Sequence, residues 1–444
     1  MNTAPSTAHA RLFYPRAFSS KQEASVISVL DVGSSKVACL IASLTPSNRS
    51  TVFRNRTHDV AILGCGVQRA SGIKSGAIVD LKEAEKSIRL AIDAAEQMAG
   101  LTIESLIVNL SARHIHSEIV RTDMNPGNAR VTASDIAQVI TESSSRLLKG
   151  DRVLLHALPV NYVVDGSTGI SDPKGMFASK ISADVHVITA EAPPLRNLEL
   201  LINSSHLEID SVVVTPYASA LSTVVDDEGE LGVACVDIGG GTTSVSVLVG
   251  GRVVYTTSFP LGGQDVTMDL ARGLSTGIAD AERVKTLYGS ALIMESADNE
   301  VIEIPCVVGT GIKETIDVSR RAVAKIIRQR VDEILGLVND CLASSGFANQ
   351  LDRRVVLTGG TSQLTGLVEV ARQILGHDVR LGRPLGIHNL PQKAKGAAFA
   401  ASVGLLIYPQ VAYGENLTHN HANKNIISEE GYFSQFKRWI RSSW

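Results

Sequence analysis

Two short segments carry the residue types that handle phosphate. Leu30-Asp31-Val32-Gly33-Ser34-Ser35-Lys36 and Val236-Asp237-Ile238-Gly239-Gly240-Gly241-Thr242 share one pattern: an apolar run ending in Asp, a turn of small residues, then a second apolar run, which Thr243 opens in the later copy. An Asp at a strand end can hold a metal ion through water. Glycines let backbone N–H groups close on phosphate oxygens as an anion nest. Facing each other, the two loops would clamp a polyphosphate from both sides, with Asp31 and Asp237 beside a shared Mg2+. Either loop alone could be a plain hairpin turn. Two copies in equivalent positions, far apart in the chain, point instead to an internal duplication around a ligand. Neither is a Gly-x-Gly-x-x-Gly that opens a helix, and both are followed by strand signal, so a Rossmann-type site fits poorly. A third turn, Val355-Val356-Leu357-Thr358-Gly359-Gly360-Thr361-Ser362, is a buried strand, a glycine pair and a helix start. Bare backbone there allows close approach of a flat base or ribose, although a simple strand-to-helix turn reads the same way.

Elements with the right periods surround these loops. Period-two and apolar runs predict strands at 26–31, 36–43, 59–67 and 76–80, and the spacing of Leu81, Ile88, Ile92, Ala95 and Ala99 predicts a helix over 81–99. Residues 102–190 read as a small α+β insertion with its own sheet: strands at 103–110, 115–121, 153–164 and 181–188, and a helix at 132–148. A helix at 194–205 and a strand at 208–214 return to the main body. Strands follow at 231–237, 243–249 and 252–258, the last two joined by the tight turn Gly250-Gly251. Helices are expected at 262–275, 278–288 and 313–345, a strand at 354–357 and a last core helix near 394–407. The resulting domains are a disordered tail (1–24), a first domain (25–101 and 191–230, with 394–411), the insertion (102–190) and a second domain (231–393) with a subdomain at about 262–325. A flexible polar linker (412–430) and a terminal helix (431–444) complete the chain.

The length of 444 residues suits roughly two to three domains. A net charge of -3 excludes a nucleic-acid binder by global electrostatics. Five scattered cysteines without a Cys-x-x-Cys pair (Cys39, Cys65, Cys235, Cys306, Cys341) read as small buried hydrophobes in a reducing compartment. No apolar run reaches the roughly 18 residues of a membrane span, and residues 1–24 hold no secretory apolar core. His419-x-His421 is too slight for a metal site and reads as linker.

The two Asp loops and the late Gly-Gly turn, in this order, resemble the superfamily of actin, heat-shock chaperones and sugar kinases. The resemblance implies two ribonuclease-H-like halves with ATP in the cleft. Asp31, Gly33, Ser34, Ser35 and Lys36 lie at the first phosphate motif, Asp237, Gly239, Gly240, Gly241, Thr242 and Thr243 at the second, and Gly359, Gly360 and Ser362 at the adenosine motif. Glu282 and Lys285, on one face of the helix expected at 278–288, look like the pair that contacts ribose and base. Within the superfamily the chain is most similar to the FtsA family. The carriers are Val153-Leu154-Leu155-His156-Ala157-Leu158-Pro159, Gly169-Ile170-Ser171-Asp172-Pro173-Lys174-Gly175-Met176, Val185-His186-Val187-Ile188-Thr189 and the small-residue run Gly396–Ala401. That resemblance implies a division protein that self-associates, binds the C-terminal tail of the tubulin-like FtsZ, and recruits later division proteins. Arg320 and Arg321 are the residues suited to an acidic tail, unless they are simply solvated. Thr215 stands where active relatives often carry Glu or Gln to orient water. A Thr hydroxyl is no general base near neutral pH, so tight binding with poor hydrolysis is expected.

The end of the chain has its own physics. On a helix of about 100° per residue, Tyr432, Phe433, Phe436, Trp439, Ile440 and Trp444 share an arc of roughly 140°, with Lys437, Arg438 and Arg441 beside and opposite it. Aromatics favour the headgroup boundary and basic residues an anionic lipid surface, so this is an in-plane membrane helix, on the cytoplasmic face by the resemblance. Docking on a partner groove is the lesser reading. The primary function is a non-enzymatic, ATP-binding, membrane-tethered adaptor. Its rivals are an actin-fold kinase or other ATPase, and a pilus or rod-shape filament protein. A chaperone would need a substrate domain after Gly404.

Overall fold

The computed structural model describes residues 25–47, 56–111, 115–294, 300–307, 313–351 and 354–416. Two five-stranded sheets form the body. In the first, Ser25–Val32, Lys36–Pro46 and His58–Arg69 run as an antiparallel meander. Ser105–Leu110 then lies parallel to the first strand, and Glu208–Val214 parallel to it in turn. The second sheet repeats this order: Val233–Ile238, Thr243–Val249 and Arg252–Phe259 as a meander, then Arg354–Thr358 and Asp378–Leu381 in parallel. The duplication read from two loops thus extends to the whole topology of both halves.

Each half has its own core. Leu30, Leu40, Ile41, Ile88 and Leu106 are among the fully buried side chains of the first, and Val236, Val245, Ile327, Leu335 and Leu357 of the second. The helix Leu81–Ala99 shows the local logic. Asp80 caps it, accepting from the N–H groups of Lys82 and Glu83, and Gly100 ends it at φ 69. Ala84, Ile88, Ala91, Ile92 and Ala95 form its buried stripe.

Two helices cross between the halves. Thr215–Thr223 follows the fifth strand of the first sheet. Ala400–Asn416, the last described helix, is buried along 400–410 and packs on it. At the crossing, a Cβ on Gly404 would lie 1.7 Å from the Ala218 carbonyl oxygen, so only glycine admits this approach.

Several sequence expectations change. The strand Ser105–Leu110, placed in the insertion, belongs to the first sheet, because its buried apolar residues pair on both sides there. The insertion is therefore a four-stranded sheet of His116–Met124, Arg152–Val164, Ser167–Ile170 and Ile181–Glu191, with the helix Ala133–Ser145 on it. Residues 76–80 hold only one arm of a small hairpin, Ile73–Lys74 with Ala77–Ile78. The long helix starts at Arg320, not 313. Lys313–Ser319 pairs instead with Val301–Val307, and Ser319 caps the helix through Ala322 N–H. A short helix, Asp226–Leu231, was not foreseen. The expected linker is helical in its first five residues, since the last helix runs to Asn416. Cys39, Cys65 and Cys235 are buried, whereas Cys306 and Cys341 are half-exposed. Among the described residues no helix is long and apolar enough to cross a membrane.

Candidate functional site

The two Asp loops are equivalent to the level of single hydrogen bonds. Asp31 pairs with Ala38 and Asp237 with Ser244, each one residue before the strand end. Gly33 N–H donates to the Lys36 carbonyl at 3.0 Å, and Gly239 N–H to the Thr242 carbonyl at 2.9 Å. The loops meet across the cleft. A Cβ on Gly240 would stand 1.8 Å from Ser35 Oγ, and one on Gly241 2.7 Å from Ser34 Oγ. Gln264 staples them, its N–H donating to the Gly240 carbonyl and its side-chain amide to the Ser34 carbonyl, at 2.6 and 2.9 Å.

The carboxylates are held by exchanged partners. Asp31 accepts from Asn109 Nδ2 at 2.8 Å and from Ser402 Oγ at 2.6 Å, and Lys36 Nζ lies 3.7 Å away. Asp237 accepts from Ser219 Oγ. Ser219 sits on the crossing helix that follows the first half, and Ser402 on the one that follows the second, so each helix holds the aspartate of the opposite half. Burial pushes the Asp237 pKa up to about 6, the Ser219 hydrogen bond opposing and the Asp31 charge adding to the rise. Lys36 also stacks on the Phe399 ring, 4.1 Å from its centre.

At the far end, Gly359 adopts φ 87, and a Cβ there would meet Asp237 Oδ1 at 2.2 Å. Lys285 Nζ donates to Glu282 at 2.7 Å, to Thr267 Oγ1 at 2.8 Å and to the Gly263 carbonyl at 3.0 Å. One cavity of about 490 Å³ joins all three motifs, within the range of small-molecule sites. Asp31, Gly33, Ser34, Ser35, Lys36, Asp237, Gly239, Gly240, Thr242, Glu282, Lys285, Gly359 and Gly360 line it. Three expected residues support it from outside. Gly241 abuts Ser34, Thr243 Oγ1 donates to the Leu261 carbonyl at 2.8 Å, and Ser362 Oγ to the Gly359 carbonyl at 2.7 Å.

This donor set suits a polyphosphate with a hydrated divalent cation. Around the paired loops it offers two carboxylates, one ammonium, two serines and, at Gly240, Gly241 and Gly359, backbone where a Cβ would come within 2.7 Å of a neighbouring atom. Among the described residues no cluster of three His, Cys, Asp or Glu could hold a metal alone, so a cation here would need ligand oxygens and water.

Sequence reasoning missed Asn109, Ser111, Ser219, Gln264 and Ser402. Asn109 had a signal: it breaks the apolar run Leu106–Val108 one position past the Leu30–Val108 pair. That is the register Thr358 holds opposite Asp237 in the second half. Thr215 lines the cavity at the start of its helix, 3.2 Å from Asn109 Nδ2 and 2.7 Å from Ser111 Oγ. Arg320 is already ion-paired with Glu300, and its neighbour Arg321 is half-buried, so an acidic peptide would have to compete there. The terminal segment from Tyr432 to Trp444, the tail 1–24 and His419-x-His421 lie outside the described residues.

Comparison with known proteins agrees with this architecture. The family model "Cell division protein FtsA" matches residues 234–404, and "SHS2 domain inserted in FTSA" matches 112–189. The second match starts after the strand Ser105–Leu110, as the sheet pairing requires. A cell division protein FtsA of Rhizobium meliloti strain 1021 is 47% identical over 421 residues, covering 94% of this chain and 95% of that protein. That of Escherichia coli strain K12 is 31% identical, covering 94% and 96%. Among solved structures, the PilM-PilN type IV pilus biogenesis complex superposes with a TM-score of 0.60 at 16% identity, covering 86% of this chain and 98% of that one. MreB5 of Spiroplasma citri bound to ADP gives 0.52 at 13%, covering 90% and 98%. These likenesses are of fold: two actin-like halves around a cleft. With its SHS2 insertion and a relative 47% identical over 94% of its length, the chain belongs to the FtsA family of cell division proteins.

Proposed function

We propose that the chain is an ATP-loaded, self-associating adaptor that ties FtsZ filaments to the cytoplasmic face of the membrane at the division site and recruits later division proteins. The observation that carries the nucleotide part is the pair of equivalent Asp loops lining one cavity with the Gly359-Gly360 turn. Phosphates would lie against Gly33, Ser34, Ser35 and Lys36 on one side and Gly239, Gly240 and Thr242 on the other, with the adenosine toward Gly359, Gly360, Glu282 and Lys285. Asp31 and Asp237 would hold Mg2+ through water, and the bound ion would neutralise phosphate charge. The hydroxyl of Thr215 supports slow hydrolysis, because it can orient water but not take its proton.

Asp237→Ala removes a metal-facing carboxylate, and Gly240→Val fills the space between the loops. Both should weaken Mg·ATP binding at least about tenfold in equilibrium titration, a loss of roughly 1.4 kcal/mol or more. Retention of wild-type affinity by both variants refutes the cleft reading.

The membrane part rests on the aromatic and basic arc of the terminal segment. Interfacial burial of its aromatics and roughly 1 kcal/mol for each basic residue near anionic lipid favour reversible binding, firmer in a filament. In flotation with anionic vesicles the full chain should rise, whereas a chain ending at Ser428 and the variant Trp439→Glu should not. Lys437→Glu with Arg441→Glu should lose anionic vesicles far more than neutral ones. Equal flotation of the truncated chain removes the anchor. For the FtsZ tail, charge reversal at Arg320 and Arg321 should abolish peptide binding, and unchanged binding moves the site elsewhere.

A further inference from the structure

We infer that the inserted subdomain braces the two halves and couples the state of the cleft to its own four-stranded sheet, with His156 as the positioning residue. The inference rests on the cleft being the nucleotide site proposed above. The chain enters the insertion after Leu110 and leaves it at Glu191, so covalently it belongs to the first half. Its contacts reach further. Ser117 Oγ donates to the Thr256 carbonyl at 2.8 Å and accepts the Thr256 N–H at 3.0 Å. Arg252 Nη1 donates to the Pro159 carbonyl at 2.7 Å. Ile119 and Val160 pack against the core of the second half. Thr256 and Arg252 lie on the edge strand Arg252–Phe259, so the insertion closes that edge and ties it to the first half.

His156 connects this brace to the cleft. Its Nε2 accepts the N–H of Val214, the residue before the first crossing helix, at 3.2 Å. Its ring meets Tyr217 and Tyr408 edge-on at 5.4 and 5.7 Å, and those two rings meet each other at 6.0 Å. All three side chains are buried. Tyr217 shares its helix with Ser219, and Tyr408 shares its helix with Ser402. One imidazole therefore touches both helices whose hydroxyls hold Asp237 and Asp31. Packed cores resist continuous deformation. If the halves turn about the Gly404–Ala218 crossing, the insertion must move with them or lose the Ser117 and Arg252 bonds. Such coupling is reciprocal: a ligand in the cleft shifts affinity at the insertion by the same factor that a ligand on the insertion shifts affinity in the cleft.

Hydrogen exchange of the full chain, with and without a saturating non-hydrolysable Mg·ATP analogue, tests this. In the wild type, protection at 30–36 and 236–242 reports binding. Exchange within Arg152–Val164 and His116–Met124 should change as well, by about fivefold or more, the low end of measured couplings. His156→Ala, and separately Ser117→Ala with Arg252→Gln, should keep the loop protection and lose the response of the insertion. The second variant removes only three hydrogen bonds and leaves both cores filled. Loop protection with an unresponsive insertion in the wild type overturns the brace and leaves the nucleotide reading standing. The same overturning follows if both variants respond like the wild type. Unprotected loops at saturation refute the nucleotide reading itself and this inference with it.

Discussion

Gly404→Ala tests the crossing at which the two helices between the halves make their closest approach. The added Cβ would lie 1.7 Å from the Ala218 carbonyl oxygen and 2.4 Å from its carbon. Main chain cannot step aside as a side chain does. The two helices must part by roughly 1.5 Å or more, and overpacking of this kind costs about 1–3 kcal/mol. The same movement stretches the Ser402–Asp31 and Ser219–Asp237 hydrogen bonds, and bonds to charged groups are worth about 1.5–3 kcal/mol each when intact. A total loss of about 2–4 kcal/mol follows if those bonds weaken only in part. Gly336→Ala is the control. It lies within the helix Arg320–Ser344, and its Cβ would meet nothing within 4 Å. There the substitution should stabilise by about 0.5–1 kcal/mol, because alanine loses less backbone freedom on folding. Urea unfolding followed by circular dichroism compares the midpoints, which is the suitable quantity for a chain whose halves need not melt together. The geometric argument fails if Gly404→Ala melts at the wild-type midpoint, or if both variants shift in the same direction.

Acid should weaken the protein. Burial pushes the pKa values of His156 and His186 down to about 3 and about 4, while an unfolded chain takes up those protons near pH 6.5, so stability falls as pH drops below about 6.5. Asp237, raised to about 6 from 3.8, acts in the opposite sense between those values, because the folded form then holds the extra proton. Two histidines outweigh one aspartate, and the urea midpoint at pH 5 should lie below that at pH 7; a higher midpoint at pH 5 contradicts the assignment. Asn109→Ala strips a buried donor from Asp31 and the acceptor of Val32 N–H, at 2.8 and 2.6 Å. It should cost about 1–3 kcal/mol in unfolding and also weaken Mg·ATP binding in titration. Arg380→Met leaves the half-buried Glu228 without its ion pair and the Thr223 carbonyl without its donor. A lowered thermal midpoint with normal vesicle flotation is expected, and an unchanged midpoint counts against a structural role for that pair.

The sequence exposed the features that local pattern encodes. Both Asp loops, their flanking strands and the helices Leu81–Ala99 and Ile278–Tyr288 could be read from period and turn chemistry. Pairing could not. Ser105–Leu110 has the same apolar character whichever sheet takes it, and only the parallel ladders to Ser25–Val32 and Glu208–Val214 decide. The alternation of Ile316 and Val318 with polar neighbours was hidden by the long helical pattern that follows, so the hairpin before it was missed. Within the site, glycines and aspartates stand out because their chemistry is special at short range. Ser219 and Ser402 do not, because a serine in a small-residue helix gains meaning only from a carboxylate 18 or 371 positions away.

That last separation has a consequence for synthesis. The first sheet is complete only with Glu208–Val214, and the helix that buries its inner face and supplies Ser402 is made later still. At ordinary elongation rates of about 5–20 residues per second, on the order of 20–70 s separate the emergence of Asp31 from that of Ser402. During that interval the nascent first half carries an uncovered apolar face and an aspartate without its hydroxyl partner. A chain that stops short of residue 402 leaves Asp31 with Asn109 but without its second donor, whatever the state of its second half. Completion of the cleft therefore requires synthesis past residue 402, and chains that end before it lack a partner that holds the first aspartate.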